Sequence, residues 1–224
     1  MLRLGVPDGV LKGGLSLSEL HELTPAGPAH HGAALGFALA LAALAPSQGA
    51  IVFVQQDFAA LEGAQLYGLG GAPFGIDPAR FLLVRAATPK DALWAMEEAL
   101  KTRGLAAIIG ELAERGEAAD LTATRRLSLA AQKGGSLALL LRQYAWAEPS
   151  AAATRWQIAG ALGATDEFGG LGATAFSLTL MKNRRGACGT WVLQWDQDAK
   201  RFFPALSGAV AQAAVDRQAD AAVA

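Results

Sequence analysis

The sequence has little cysteine, little net charge and no long hydrophobic run. Its single cysteine, Cys188, excludes an intramolecular disulfide and is typical of a reducing compartment. With a formal net charge of −1, the whole molecule does not favour nucleic acid, so such binding would depend on local patches. The longest apolar run, residues 32–45, is shorter than the roughly 18 residues of a membrane-spanning helix, and the N-terminus lacks the pattern of a secretory signal. These absences predict a cytoplasmic protein.

The segment TPAGPAHHGAALGF has the glycine spacing of a phosphate-binding loop but lacks its functional side chains. Gly27, Pro28 and Gly32 keep the spacing, whereas Ala33 stands where a lysine would neutralise phosphate and Ala34 where a hydroxyl would hold magnesium. Without these groups phosphoryl transfer loses most of its electrostatic stabilisation, so we expect no ATP hydrolysis and no cofactor. Two alternatives stay open: residual nucleotide or anion binding at the start of the following helix, or a loop retained because the fold needs its turn.

The histidines do not predict a metal site. His30 and His31 are adjacent, so in an extended segment they would point to opposite sides, and no third ligand has suitable spacing near them. We interpret both as polar loop residues.

Short apolar strands alternate with helices over the first two thirds of the chain. The pattern predicts strands at 50–54, 80–85, 105–109 and 136–142, and helices at 32–44, 89–101 and 120–133. Thr88 and Asp120 are the expected N-caps of the last two helices, and Gly134-Gly135 ends the second of them. This alternation predicts an α/β fold with a mostly parallel central sheet flanked by helices.

The pattern changes near Thr154. Segments 154–158, 175–180 and 189–195 alternate apolar and polar residues, and no helix separates the last two. They predict antiparallel strands at the C-terminal side, with a hairpin turn through 183–186. We therefore expect one domain over 1–204 and an Ala-rich tail, flexible or partly helical, over 205–224.

Five local matches make this organisation similar to the RecA-like ATPase core. They are residues 13–23, 27–32, 53–57, 106–111 and 181–184. The resemblance implies a RecA-like fold of the P-loop type. It also implies that Asp57 holds the position of the acid that activates water, and that Gly110 stands where the Walker B aspartate belongs, with Glu111 next to it. A hairpin containing Lys182 and Arg184 would meet a neighbouring subunit.

Three further segments resemble the bacterial inducible-mutagenesis protein A (ImuA) family, whose members are divergent RecA relatives. They are 93–100, 120–131 and 149–156, and the similarity extends over roughly 13–203. The resemblance implies a non-catalytic adaptor in SOS-induced translesion synthesis, a form of DNA damage tolerance and repair. Implied partners are a Y-family polymerase homologue and an error-prone replicative-type polymerase subunit, with RecA, a second copy of the chain or single-stranded DNA as further candidates. The alternatives are an ATPase that uses Lys182 in trans and a SulA-like cell-division inhibitor.

Basic residues are the candidate contacts for a partner or for DNA phosphate. They are Arg125, Arg126, Arg155, Lys182, Arg184 and Arg185. Ordinary surface charge explains the hairpin cluster equally well, and Arg126 could instead form a structural ion pair with Asp120 or Glu117. The strand tryptophans Trp156, Trp191 and Trp195 are expected to divide between the core and an exposed, protein-binding patch.

Overall fold

The computed structural model describes residues 1–63, 65–113, 118–144, 149–163 and 172–205. These residues form nine strands and four α-helices, together with short 3₁₀ helices. The strands are β1 Leu20–Pro25, β2 Ile51–Gln56, β3 Phe81–Ala86, β4 Ala107–Leu112, β5 Leu137–Arg142, β6 Thr154–Ala161, β7 Ala175–Asn183, β8 Gly189–Asp196 and β9 Arg201–Pro204. The helices are α1 His31–Ala43, α2 Asp57–Gly63, α3 Pro89–Lys101 and α4 Leu121–Gly134.

All nine strands belong to one sheet with the order β3-β2-β4-β5-β1-β6-β7-β8-β9. The first six strands in that order are parallel, and β7, β8 and β9 extend the sheet with antiparallel pairing. The predicted mixed α/β architecture, with a mostly parallel sheet and antiparallel strands at the C-terminal side, is confirmed. The strand β6 differs from the expectation, because it pairs in parallel with β1 and antiparallel only with β7.

Helices cover the two faces of the sheet. The helix α1 is buried on nearly every side, as its apolar sequence predicts, and the ring of Phe37 contacts Trp156, Phe176 and Phe202. On the opposite face, α3 and α4 pack side by side over a second apolar cluster that contains Met96 and Leu127. None of the helices in the described part of the chain has the length and apolar character needed to cross a membrane.

The predicted helix ends agree with the structure. The Thr88 hydroxyl accepts a hydrogen bond from the Asp91 N–H, and the Asp120 carboxyl group accepts one from the Ala123 N–H. Gly135 has a φ of 78°, the left-handed conformation that glycine adopts easily after a helix.

Three parts of the chain differ from the prediction. The strand β4 continues to Leu112, which places Glu111 within the sheet, and β9 was not predicted. The first fourteen residues, where the sequence pattern predicts no helix or strand, contain a 3₁₀ helix at Val6–Gly9. Leucines at positions 2, 4 and 11 from this segment are buried in the core.

Candidate functional site

The degenerate loop connects β1 to α1 at the carboxyl edge of the sheet, where ligands of α/β proteins usually bind. After Pro25 the chain is extended at Gly27, with φ −179° and ψ 171°, and then forms a 3₁₀ turn over Pro28–His30. Neither Gly27 nor Gly32 has a positive φ, and a Cβ atom on either would meet nothing within 4 Å. The turn therefore does not require these glycines, which removes the steric reason for retaining them.

Four polar side chains meet beside this loop, and we call them the Glu111 hub. Glu111 is fully buried at the end of β4, and Gln55 of β2 donates a hydrogen bond from Nε2 to its Oε2 at 2.8 Å. Gln143, just after β5, donates from Nε2 to Glu111 Oε1 at 3.1 Å. His31, the first residue of α1, places Nε2 at 2.9 Å from the same Oε1. The hub thus links the start of α1 to three neighbouring strands.

The helix α2 packs against the hub. Gln143 Nε2 also donates to the carbonyl oxygen of Ala59 at 2.9 Å. A Cβ atom at Gly63 would lie 2.5 Å from His31 Nε2 and 2.7 Å from Gln143 Nε2, so the backbone of α2 touches both side chains. The helix α2 therefore covers the His31 and Gln143 side chains that contact Glu111.

The residues aligned with catalytic acids do not come together. A Cβ atom at Gly110 would lie 1.9 Å from Met96 Sδ, so this position faces α3, and Glu111 is the residue on the loop side of β4. Asp57 at the start of α2 accepts hydrogen bonds from Arg85 Nε and Nη2 at 3.0 and 2.7 Å. Asp57 is thus held toward edge strand β3 and not toward the loop.

An open cleft of about 710 Å³ lies next to the loop, between α1 and the ends of β6 and β7. Gly32 and Ala33 form part of its wall, together with Phe74 and Phe176. The described residues that line it include no charged side chain. The described lining therefore offers no cationic side chain to a phosphate in this cleft.

Arg155, predicted as a partner or DNA contact, is part of a buried ionic cluster. Its Nε donates to Glu22 Oε2 at 2.8 Å, and the fully buried Glu22 also accepts a hydrogen bond from Ser150 Oγ at 2.7 Å. The buried guanidinium of Arg142 lies 4.0 Å from Glu22 Oε1. Arg155 therefore joins β6 to β1 inside the fold.

The predicted β7–β8 hairpin is confirmed, but most of its basic side chains contact the protein itself. Lys182 Nζ donates to the Ser150 carbonyl oxygen at 2.5 Å, and burial, reinforced by Arg155, lowers the pKa of Lys182. Arg185 Nη2 donates to Glu19 Oε2 at 3.1 Å. Arg184 is exposed and forms no ion pair with the described residues.

The two arginines of α4 also differ from each other. Arg126 Nη2 lies 2.6 Å from Glu97 Oε2 on α3, so its ion-pair partner is Glu97 and not Asp120, which caps the helix. Glu117, the other predicted partner, lies outside the described residues. Arg125 is exposed and, within the part of the chain that the structure describes, has no acidic partner.

The strand tryptophans form no exposed patch. Trp156 and Trp195 are buried, and Trp191 is half-buried against Trp156 with ring centroids 6.0 Å apart. Among the tryptophans that the structure describes, the exposed one is Trp94 on α3, at 61% exposure. Sequence reasoning missed it, although its position beside the buried stripe that contains Leu93 and Met96 was a usable signal.

A buried hydrogen-bond chain starting at His21 supports the region beneath the hairpin. His21 Nε2 donates to the Ser16 carbonyl oxygen, so its Nδ1 accepts from Thr154 Oγ1, both at 2.8 Å. Trp156 Nε1 donates to the same hydroxyl at 2.8 Å. Burial lowers the pKa of His21 from its ordinary 6.5 to about 4, because this environment stabilises the neutral ring.

Stability should therefore depend on pH through His21. Between pH 6.5 and 4 the unfolded chain binds a proton at this residue that the folded chain does not. The contribution of His21 to the free energy of unfolding is therefore most favourable above pH 6.5. It decreases as the pH falls, by about 3 kcal/mol at pH 4. Urea unfolding across this range should show a smaller pH dependence for His21→Gln than for the wild type. Equal pH dependence in both would contradict the assignment.

The fold and the site together define a mixed α/β protein with a large, mostly parallel sheet and antiparallel strands at its C-terminal side. The chain is 35% identical over 212 residues to Protein ImuA of two Caulobacter vibrioides strains, an alignment that covers 87% of this chain and 83% of each relative. No family model matches the sequence. At this identity and coverage the chain belongs to the ImuA family, as its sequence resemblance predicted.

Proposed function

We propose that this chain is a non-catalytic accessory protein of an inducible mutagenesis system. Its membership of the ImuA family supports a role in the DNA damage response. In this proposal the protein has a RecA-like core that no longer uses nucleotide and works by holding other proteins together. The order β3-β2-β4-β5-β1, with the loop between β1 and α1, supports the RecA-like part.

The Glu111 hub is the observation that carries the proposal. Phosphoryl transfer requires cations and a metal ion arranged around the terminal phosphates. Here Ala33 and Ala34 supply neither a charge nor a hydroxyl group, and the His31 ring lies against Glu111 under the cover of α2. Lys182, the candidate for a lysine supplied in trans, is held by Ser150 within its own subunit, so no observation favours the ATPase alternative.

The implied partners are a Y-family polymerase homologue and an error-prone replicative-type polymerase subunit. RecA, a second copy of the chain and single-stranded DNA are further candidates. Of the predicted basic contacts, Arg125 and Arg184 are the exposed side chains without an ion pair in the described structure, so they are the most available for an outside ligand. Arg126, Arg155, Lys182 and Arg185 contact the fold itself.

Calorimetry with magnesium and ATP, with and without single-stranded DNA, tests whether the protein uses nucleotide. We expect neither binding heat nor turnover. Pull-down of the purified polymerase homologue tests the adaptor role, and we expect the wild-type chain to retain it. Arg125→Ala and Arg184→Ala should show whether either exposed arginine contributes, with Arg103→Ala as an exposed control. Turnover that Lys182→Ala abolishes would overturn the adaptor and establish an ATPase.

A further inference from the structure

A groove runs along the outside of the sheet between α3 and α4. The side chains of Leu93 and Leu127 form its floor. The ion pair between Glu97 and Arg126 crosses the middle and divides the groove into depressions of about 280 and 230 Å³. The groove therefore has an apolar floor that one ion pair crosses.

Two large apolar side chains stand at the rim instead of being buried. Trp94 of α3 borders the first depression and is 61% exposed, and Leu129 of α4 borders the second and is 56% exposed. Exposed apolar surface that adjoins a concave apolar floor is typical of protein-binding sites, and tryptophan often contributes much of the binding energy there.

The rim is also positively charged. Lys90, Lys101, Arg126 and Lys133 border the groove. Glu97 and Glu98 offset two of these cations: Lys101 contacts both carboxyl groups, at 3.2 and 2.6 Å, and Arg126 shares Glu97. Lys90 and Lys133, one in each depression, have no acidic partner within the described ranges. Among the residues that the structure describes, four cations border the groove and two carboxyl groups pair with them, a balance that favours an acidic ligand.

We propose that this groove binds an acidic amphipathic helix of a partner protein, an inference that rests on the adaptor function and names the chemistry of the partner. The walls of the groove are helices whose backbone groups are already hydrogen-bonded, so recognition must use side chains and does not involve strand addition. Apolar residues of the ligand helix pack against Trp94, Leu129 and the floor. Acidic residues on its flanks pair with Lys90 and Lys133.

A synthetic probe tests the groove directly. The probe is an 18-residue labelled helix with leucine on one face and glutamate on the flanks, and its control carries lysine in place of glutamate. Anisotropy should show binding of the acidic peptide alone, weaker in high salt. Trp94→Ala and the pair Lys90→Glu/Lys133→Glu should each weaken binding at least about tenfold. Val192→Ala and Arg103→Glu, exposed sites outside the groove, should not.

The outcomes separate this proposal from the adaptor function. Absence of peptide binding, equal binding of the lysine peptide, or unchanged binding by both groove variants overturns the groove. If Trp94→Ala also releases the polymerase homologue, the groove is its docking site. If the polymerase homologue does not bind even the wild-type chain while the acidic peptide does, the groove stands and the adaptor proposal fails. Circular dichroism confirms that the variants are folded, as expected for exposed positions.

Discussion

Glu111→Ala is expected to lower the free energy of unfolding by about 3 kcal/mol or more, because buried donors lose their acceptor. Gln55 and Gln143 both donate to this carboxyl group, and the His31 ring lies against it. Gln55 is buried, and α2 packs against His31 and Gln143, so little water is available to replace the lost acceptor. The substitution should therefore destabilise four elements at once.

Urea unfolding measures this loss, and Glu111→Gln is the matched control. The glutamine keeps the shape of the side chain and one carbonyl acceptor, so we expect a smaller loss. If Glu111→Ala lowers the free energy of unfolding by less than about 1 kcal/mol, within the range of ordinary substitutions, the hub does not stabilise the structure beside the loop. The central argument against nucleotide binding would then be lost.

Arg155→Ala is expected to lower the free energy of unfolding by about 3 kcal/mol, because it removes the partly buried partner of a fully buried carboxylate. Glu22 is fully buried and would keep the hydrogen bond from Ser150, the more distant Arg142 and the nearby charge of Lys182. The matched control is Arg184→Ala, an exposed arginine on the hairpin, which should change stability by less than about 0.5 kcal/mol.

Comparison of Arg155→Ala with Arg184→Ala distinguishes two roles for the basic residues, stabilising the fold and contacting a partner. Denaturation midpoints of both variants, measured beside binding of the polymerase homologue, separate a folding defect from the loss of a contact. A stable Arg155→Ala protein that no longer binds its partner would show that Arg155 is a recognition residue. We expect the opposite: an unstable protein in which lost binding follows lost folding.

Local signals in the sequence predict much of the fold. Thr88, Asp120 and Gly135 act within a few residues of their helix ends, so their roles can be read directly from the chain. The short apolar strands were also predictable, because a buried parallel strand needs apolar residues on both faces. The strand β9 was not predicted because it has only four residues. The predicted end of β4 came too early because Gly110 and Glu111 interrupt its apolar pattern.

The site was much less predictable, because its contacts connect distant parts of the chain. His31, Gln55, Glu111 and Gln143 come from four separate parts of the chain, and only the strand order brings them together. In the same way, a sequence shows Arg155 as one of several arginines and does not reveal Glu22 beside it. Residue type indicated which side chains carry charge, but not which of these charges the fold already uses.

The interlocked hub has a consequence for evolution. His31, Gln55, Glu111 and Gln143 contact one another, so a substitution at one position removes a partner from another polar side chain. We therefore expect these four positions to vary together among relatives. Exposed positions without such contacts, among them Arg125 and Arg184, are free to vary one at a time.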